Sequence, residues 1–228
     1  MGKIATKSLL FIFWCCLVAL GVWQLFRWDY KTTLIKDILD NQNLPAISVN
    51  SSNQLADLKY RKVVLRGNFI KGKTIYYYAL KSNTPGYETI TIFKLSDSVD
   101  YILIGRGWSK KRLEQLASND DRPITISGYV VDLPKKNIFS PQNDLKSDTW
   151  FGFLLSEIER HIGIENIVPL MVNLDTEEYL IGEKDRLHTK SIPNNHLGYA
   201  ITWFTLAIIL IIMHLLRSRQ IKKIVEFY

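Results

Sequence analysis

SLLFIFWCCLVALGVWQLF, residues 8 to 26, runs for 19 residues without Asp, Glu, Lys or Arg. A helix rises about 1.5 Å per residue, so this stretch suffices to cross a hydrocarbon core of about 30 Å. A second uncharged run, Leu197 to Leu216, follows the sequence IPNNH (192 to 196). Two runs of that length, one near each end, set the class: a transmembrane hairpin carrying everything between. The boundaries expected are a tail over 1–7, a first span over 8–26, an exported domain over 27–195, a second span over 196–216 and a basic tail over 217–228. A secretory signal with a small-x-small site at Ala19-Leu20-Gly21 is the rival reading of the start. It is disfavoured because the apolar run continues past that site to Phe26, with Trp23 and Trp28 suited to an interfacial belt.

Basic residues in short flanks stay on the cytoplasmic side. Lys3 and Lys7 precede the first run, and Arg217, Arg219, Lys222 and Lys223 follow the second, so both termini are expected in the cytoplasm. The expected location is a bacterial plasma membrane, with the central domain periplasmic. These flanks also supply most of the formal charge of +7, leaving a nearly neutral outer domain with no electrostatic footprint for nucleic acid. The two cysteines, Cys15 and Cys16, both lie in the first run, so the exported domain has no disulfide framework.

Between the runs the pattern is α+β. Leu34, Ile35, Ile38 and Leu39 recur at helical spacing and extend the first helix outward to about Asp40. A loop is expected over 41–53. Segments 63–69, 74–80, 87–95, 101–108, 124–133 and 166–174 are rich in β-branched and aromatic residues and predict strands. Short polar links such as KSNTPG (81–86) argue for antiparallel pairing. A short helix capped by Ser109 is expected over 110–117. A second helix is expected from the apolar stripe Phe151, Leu154, Leu155, Ile158 and Ile162, covering one face of the sheet.

The outer domain is poor in catalytic constellations: it has no cysteine, no G-x-S-x-G elbow, no H-E-x-x-H and no glycine-rich phosphate loop. Glu157 and His161 stand at i and i+4, which fits a shared metal and fits better a polar helix face. His188 lies in a charged loop and reads as solvated. Gly105-Arg106-Gly107-Trp108 reads either as a binding turn or as a bulge with a packed Trp. No catalytic residue is assigned.

The membrane boundary carries more. His196, Tyr199, Ala200 and Trp203 recur on one helical face, and Gln24, Arg27 and Lys31 recur on the first helix with Trp23 beside them. Intramembrane polar residues are costly and point to function. A flat apolar ligand with acidic edges fits this inventory, because a haem takes an imidazole on its iron, aromatic residues along its faces and cations near its propionates. His196 would be the metal ligand, with Arg27 and Lys31 toward the propionates. The alternative is that His196 and Tyr199 anchor the interface while Trp203 packs inside the hairpin. His214 lies 18 residues beyond His196, about 27 Å along the helix, too far to serve the same iron.

Gly21-x-Trp23-Gln24-x-x-Arg27-x-x-x-Lys31 resembles the opening signature of the surfeit locus protein one family, the cytochrome c oxidase assembly factors. Arg66-Gly67-x-Phe69, Arg106-Gly107-Trp108 and the stretch Asn194 to Phe204 are similar to its later blocks, in the family's order. The resemblance implies a non-catalytic assembly factor that binds haem a transiently and aids its insertion into oxidase subunit I. It implies His196 as the haem ligand, and the two helix faces add Tyr199, Trp203, Arg27, Trp23 and Gln24 as candidate binding residues. Subunit I and the lipid bilayer are the expected partners, with haem a synthase a further candidate. Two other classes remain open from the residues alone, a haem electron-transfer protein of the membrane and a two-helix sensor with a periplasmic ligand domain.

Overall fold

The computed structural model describes residues 2–113, 122–184 and 192–226, with side chains from 5–113, 122–184 and 192–218. Two compact units emerge: Met1–Asp37 with His188–Tyr228, and Ile38–Leu187.

The first unit holds most of helix α1 (Gly2–Asn43) and the C-terminal helix α3 (His196–Glu226). Both are long and apolar enough to cross a membrane. At 42 residues α1 is about 63 Å long, twice a hydrocarbon core, so the outward continuation expected from Leu34 to Leu39 is real. Up to Lys31 the less exposed positions of α1 include Leu10, Trp14, Leu17, Gly21, Gln24, Trp28 and Lys31, and those of α3 include His196, Ala200, Trp203, Ala207 and Leu210. Both series advance in alternating steps of three and four residues, the spacing of helices packed at a shallow angle. Small residues let the backbones approach. Ala200 and Ala207 are buried, and a Cβ on Gly21 would lie 2.7 Å from the Phe204 ring. The rest of the helix surface exposes large apolar side chains, among them Phe11, Ile12, Phe26, Ile201 and Ile208. Cys15 and Cys16 are exposed on that surface, so the pair does not pack in the seam.

The described residues of the second unit form a mixed sheet with one covering helix. Its strands are β1 (Ile47–Val49), β2 (Lys62–Lys81), β3 (Thr84–Leu95), β4 (Tyr101–Ser109), β5 (Ile124–Asp132), β6 (Thr149–Trp150) and β7 (Ile167–Leu174). The segments expected as two strands over 63–69 and 74–80 form the single 20-residue β2, interrupted by a bulge that contains Gly72 at φ +68. Residues Lys62 to Gly67 pair with β5, and residues Gly67 to Phe69 and Thr74 to Lys81 pair with β3 on either side of the bulge. With β3–β4, β4–β7 and β7–β5 the sheet then closes into a ring. Closure removes the exposed edges that an open sheet would present. The expected antiparallel pairing holds for β2–β3, β3–β4, β2–β5 and β5–β7. Pairs β1–β2, β2–β6 and β4–β7 are parallel, so the sheet is mixed. The β2–β3 link is a two-residue turn, Ser82 (φ +50) and Asn83 (φ +61), the left-handed pair that matches strand twist.

Alternation splits the apolar residues between two faces. Val63, Leu65, Phe93, Leu95, Ile102, Ile104, Ile126, Val130 and Val172 pack inside the ring. Ile75, Ile90, Ile92, Leu103 and Met171 face outward beneath Trp150, Phe153 and α2 (Leu155–Ile162), whose Ile158 and Ile162 are buried. Helix α2 starts four residues later than the stripe from Phe151 predicts. Thr149 and Trp150 pair with β2, and Phe153 N donates to Pro134 O, which keeps this stretch extended. It ends at Gly163 in the left-handed conformation (φ +71). The loop expected over 41–53 contains β1, three residues too short to show a period. Of the helix expected over 110–117, residues 110–113 are not helical and the remainder lies outside the described residues, as does His188.

Candidate functional site at the mouth of the hairpin

Gln24 and His196 both fall on the seam positions of their helices, at the level where α3 begins. His196 Nδ1 lies 2.7 Å from Gln24 Oε1. A carbonyl oxygen only accepts, so Nδ1 carries the proton and donates, which in the neutral ring leaves the lone pair on Nε2. Among the described residues Nε2 has no hydrogen-bond partner. One turn outward, Asn194 Nδ2 donates to Thr32 Oγ1 (3.1 Å) and to Trp28 O (3.5 Å), and Lys31 Nζ donates to Pro193 O (3.4 Å). These bonds tie the start of α3 to α1 and hold the imidazole against Gln24. The sequence placed His196 and Gln24 at one membrane boundary, and the structure adds that they touch. Thr32, Trp28 and Asn194 were missed as latch residues, and the two asparagines ahead of α3 were the available signal.

Three of the remaining candidates do not sit in the seam. Trp23, Arg27 and Tyr199 are exposed, Trp23 at 55% and Tyr199 at 56%. With Gln24 facing His196 in an antiparallel pair, helical periodicity puts all three on the same flank. Trp203 is half-buried and leans to that flank, whereas Phe204 meets Gly21 on the other. The Arg27 guanidinium lies 5.5 Å from the centre of the Tyr30 ring. The six residues therefore divide into an inner group, Gln24, His196 and Trp203, and an outer group, Trp23, Arg27 and Tyr199. The chemistry of this donor set, one imidazole with a fixed tautomer beside aromatic rings and cations, fits an iron porphyrin. Tyr199 is shifted outward from Ala200, which occupies the buried position expected to be shared between them.

The other sequence candidates have structural partners. His161 Nε2 lies 2.7 Å from Asp148 Oδ1, while Glu157 Oε2 accepts from Asn143 Nδ2 at 3.0 Å, so the i, i+4 pair does not converge. No group of three His, Cys, Asp or Glu able to hold a metal occurs among the described residues. His214 is exposed. The Arg106–Trp108 turn is a bulge with a packed Trp. Gly107 adopts φ +109 against the Gly182 backbone, and Trp108 is buried with Nε1 donating to Ala79 O at 3.1 Å. Arg106 is buried too. Its guanidinium lies 4.4 Å from the centre of the Phe69 ring and Nε donates to Tyr179 O at 2.8 Å. Burial pushes its pKa down to about 10.

The family model described as SURF1 family matches residues 11–208. The chain is 33% identical to a SURF1-like protein of Rickettsia conorii, with 94% of this chain and 92% of that protein covered. It is 30% identical to the SURF1-like protein of Rickettsia bellii over 95% and 92% of the two chains. Surfeit locus protein 1 of Gallus gallus is 26% identical over 82% of this chain and 67% of that protein. The matched residues contain Gly21 to Lys31, the bulge at Arg106 and the mouth of the hairpin through Phe204, and this chain belongs to the SURF1 family.

Proposed function

We propose that this protein is a membrane assembly factor for a haem-copper cytochrome c oxidase, which holds haem a as cargo and aids its insertion into subunit I. The observation that carries the reading is the His196–Gln24 pair, which engages Nδ1 and leaves Nε2 as the ring nitrogen free to meet a ligand at the hairpin mouth. His196 would ligate the iron through Nε2, Trp203, Tyr199 and Trp23 would border the macrocycle, and Arg27 would meet the propionates. Lone ligation suits a cargo: a single axial bond from the protein releases more readily than the two that hold a permanent electron-transfer haem. Family membership supports the oxidase as destination and a non-catalytic role.

The basic flanks support cytoplasmic termini and a periplasmic outer unit. Deletion of the gene should lower the haem a content of the assembled oxidase, and a plasmid copy should restore it. A His196→Ala copy should restore it poorly despite normal membrane levels. Full restoration by that copy would leave the family role standing and remove the ligand role.

A further inference from the structure

We infer that the outer unit carries a site for anionic phospholipid, built from the loop over Lys135–Ser140 and the adjoining face of α2. Ile138 and Phe139 are 90% and 88% exposed, far more than neighbouring apolar residues of a folded domain. They are not loose. Ser140 N donates to Asn137 O and Asn137 N to Ser140 Oγ, both at 3.0 Å, and Phe139 N donates to Asn137 Oδ1 at 2.8 Å. The turn is therefore closed on itself, and it presents two adjacent apolar side chains at its tip at little further entropic cost.

Beside this tip Lys136, Arg160, Leu145 and Leu154 border an open cavity of about 650 Å³. The charges in it are unequal in availability. Glu157 already accepts from Asn143, and His161 is paired with Asp148, whereas Lys136 and Arg160 have no hydrogen bond or ion pair among the described residues. Leu154 is 54% and Leu145 39% exposed. Two available cations over two exposed leucines, next to an apolar tip that also carries Lys135, match an amphiphile with an anionic head and hydrocarbon tails. Exposed apolar side chains rimmed by lysine are what a membrane interface recruits.

This rests on the hairpin reading, because helix α1 runs without a break from Phe26 to Asn43 and so keeps the outer unit tethered to the bilayer. Tethering makes a weak contact effective. A protein partner is the competing occupant. The paired cations and the preformed apolar tip favour lipid.

The test uses the full chain in nanodiscs, with Cys15→Ala, Cys16→Ala and Gln142→Cys, labelled at position 142 with an environment-sensitive fluorophore. Incorporation into the disc reports the hairpin, and quenching by a lipid spin-labelled near its headgroup reports the tip. Quenching is expected in discs with phosphatidylglycerol and should be weaker in pure phosphatidylcholine. Each cation near an anionic surface is worth about a fivefold change in association. Lys136→Ala and Arg160→Ala should each lower the contact by about that factor, and Ile138→Ser with Phe139→Ser should abolish it. Equal quenching in the two lipids would overturn the site. So would a label that stays in water in both discs, or one shielded only when oxidase subunit I is added, which would instead mark a protein interface.

Discussion

The imidazole Nδ1 of His196 and the carboxamide oxygen of Gln24 meet at 2.7 Å across the two helices of the hairpin, 172 residues apart in sequence. A group that binds one ring nitrogen decides what the other can do. Outer partners of this kind are worth about 10- to 100-fold in ligand affinity. Gln24→Leu should therefore lower haem affinity by about that factor while leaving membrane insertion intact, read by titrating the purified chain with haem. Gln24→Glu keeps an acceptor in place and should lose less.

The seam predicts a second effect. A side chain at position 21 collides with the Phe204 ring, so Gly21→Val should splay the hairpin and cost about 1 to 3 kcal/mol. Thermal unfolding of the full chain in detergent, followed by circular dichroism, should show a lowered midpoint. Adding Phe204→Ala should recover part of it, whereas Gly198→Ala, where a Cβ meets nothing, should be neutral.

Arg106 predicts an ordering among substitutions. Arg106→Ala removes the stacked guanidinium and the donor to Tyr179 and leaves a void, at about 2 to 4 kcal/mol. Arg106→Met fills the space and relieves the buried charge, so it should lose less. The sign of the pH effect follows from the pKa, which burial lowers from 12.5 to about 10. The charged form is held at a cost at neutral pH, and that cost falls as pH rises through about 10. The gap in melting temperature between Arg106→Met and the unsubstituted chain, measured against pH, should therefore shift in favour of the unsubstituted chain above about pH 10.

Asp175 predicts acid sensitivity of the outer unit. Burial works against its charge, but hydrogen bonds from Lys184 and Lys62 outweigh this and hold its carboxyl below the ordinary value. A depressed carboxyl gives stability that is complete above about pH 4, its unfolded value, and lost as pH falls through the lowered one. Asp175→Asn should lower the unfolding free energy by about 2 kcal/mol at pH 7 and by less at pH 2. Denaturant titrations at the two pH values measure the difference.

The helices were readable because an uncharged run of 19 residues has few alternatives, and α2 because Ile158 and Ile162 recur on one face. Closure of the sheet was not readable. It depends on β2 pairing with both β5 and β3, which overlap at Gly67, and on β4 lying parallel to β7, pairings between residues such as Leu103 and Met171 that no local pattern encodes. The spacing of Gly105 to Trp108 did not say where the Arg106 side chain goes, and only the placement of Phe69 and Tyr179 reveals it as buried. At the hairpin mouth, helical spacing identified His196 and Gln24 without showing that they touch. It also grouped Tyr199 with Ala200, although a step of 100° separates a residue on the exposed flank from one in the seam.

Haem content is the most direct measure of the central claim. The full chain, purified from cells that make haem a, should carry a haem a absorbance spectrum that His196→Ala abolishes and Gln24→Leu weakens, with the fold of each variant verified by circular dichroism. A folded His196→Ala chain that retains the spectrum of the unsubstituted protein would contradict it.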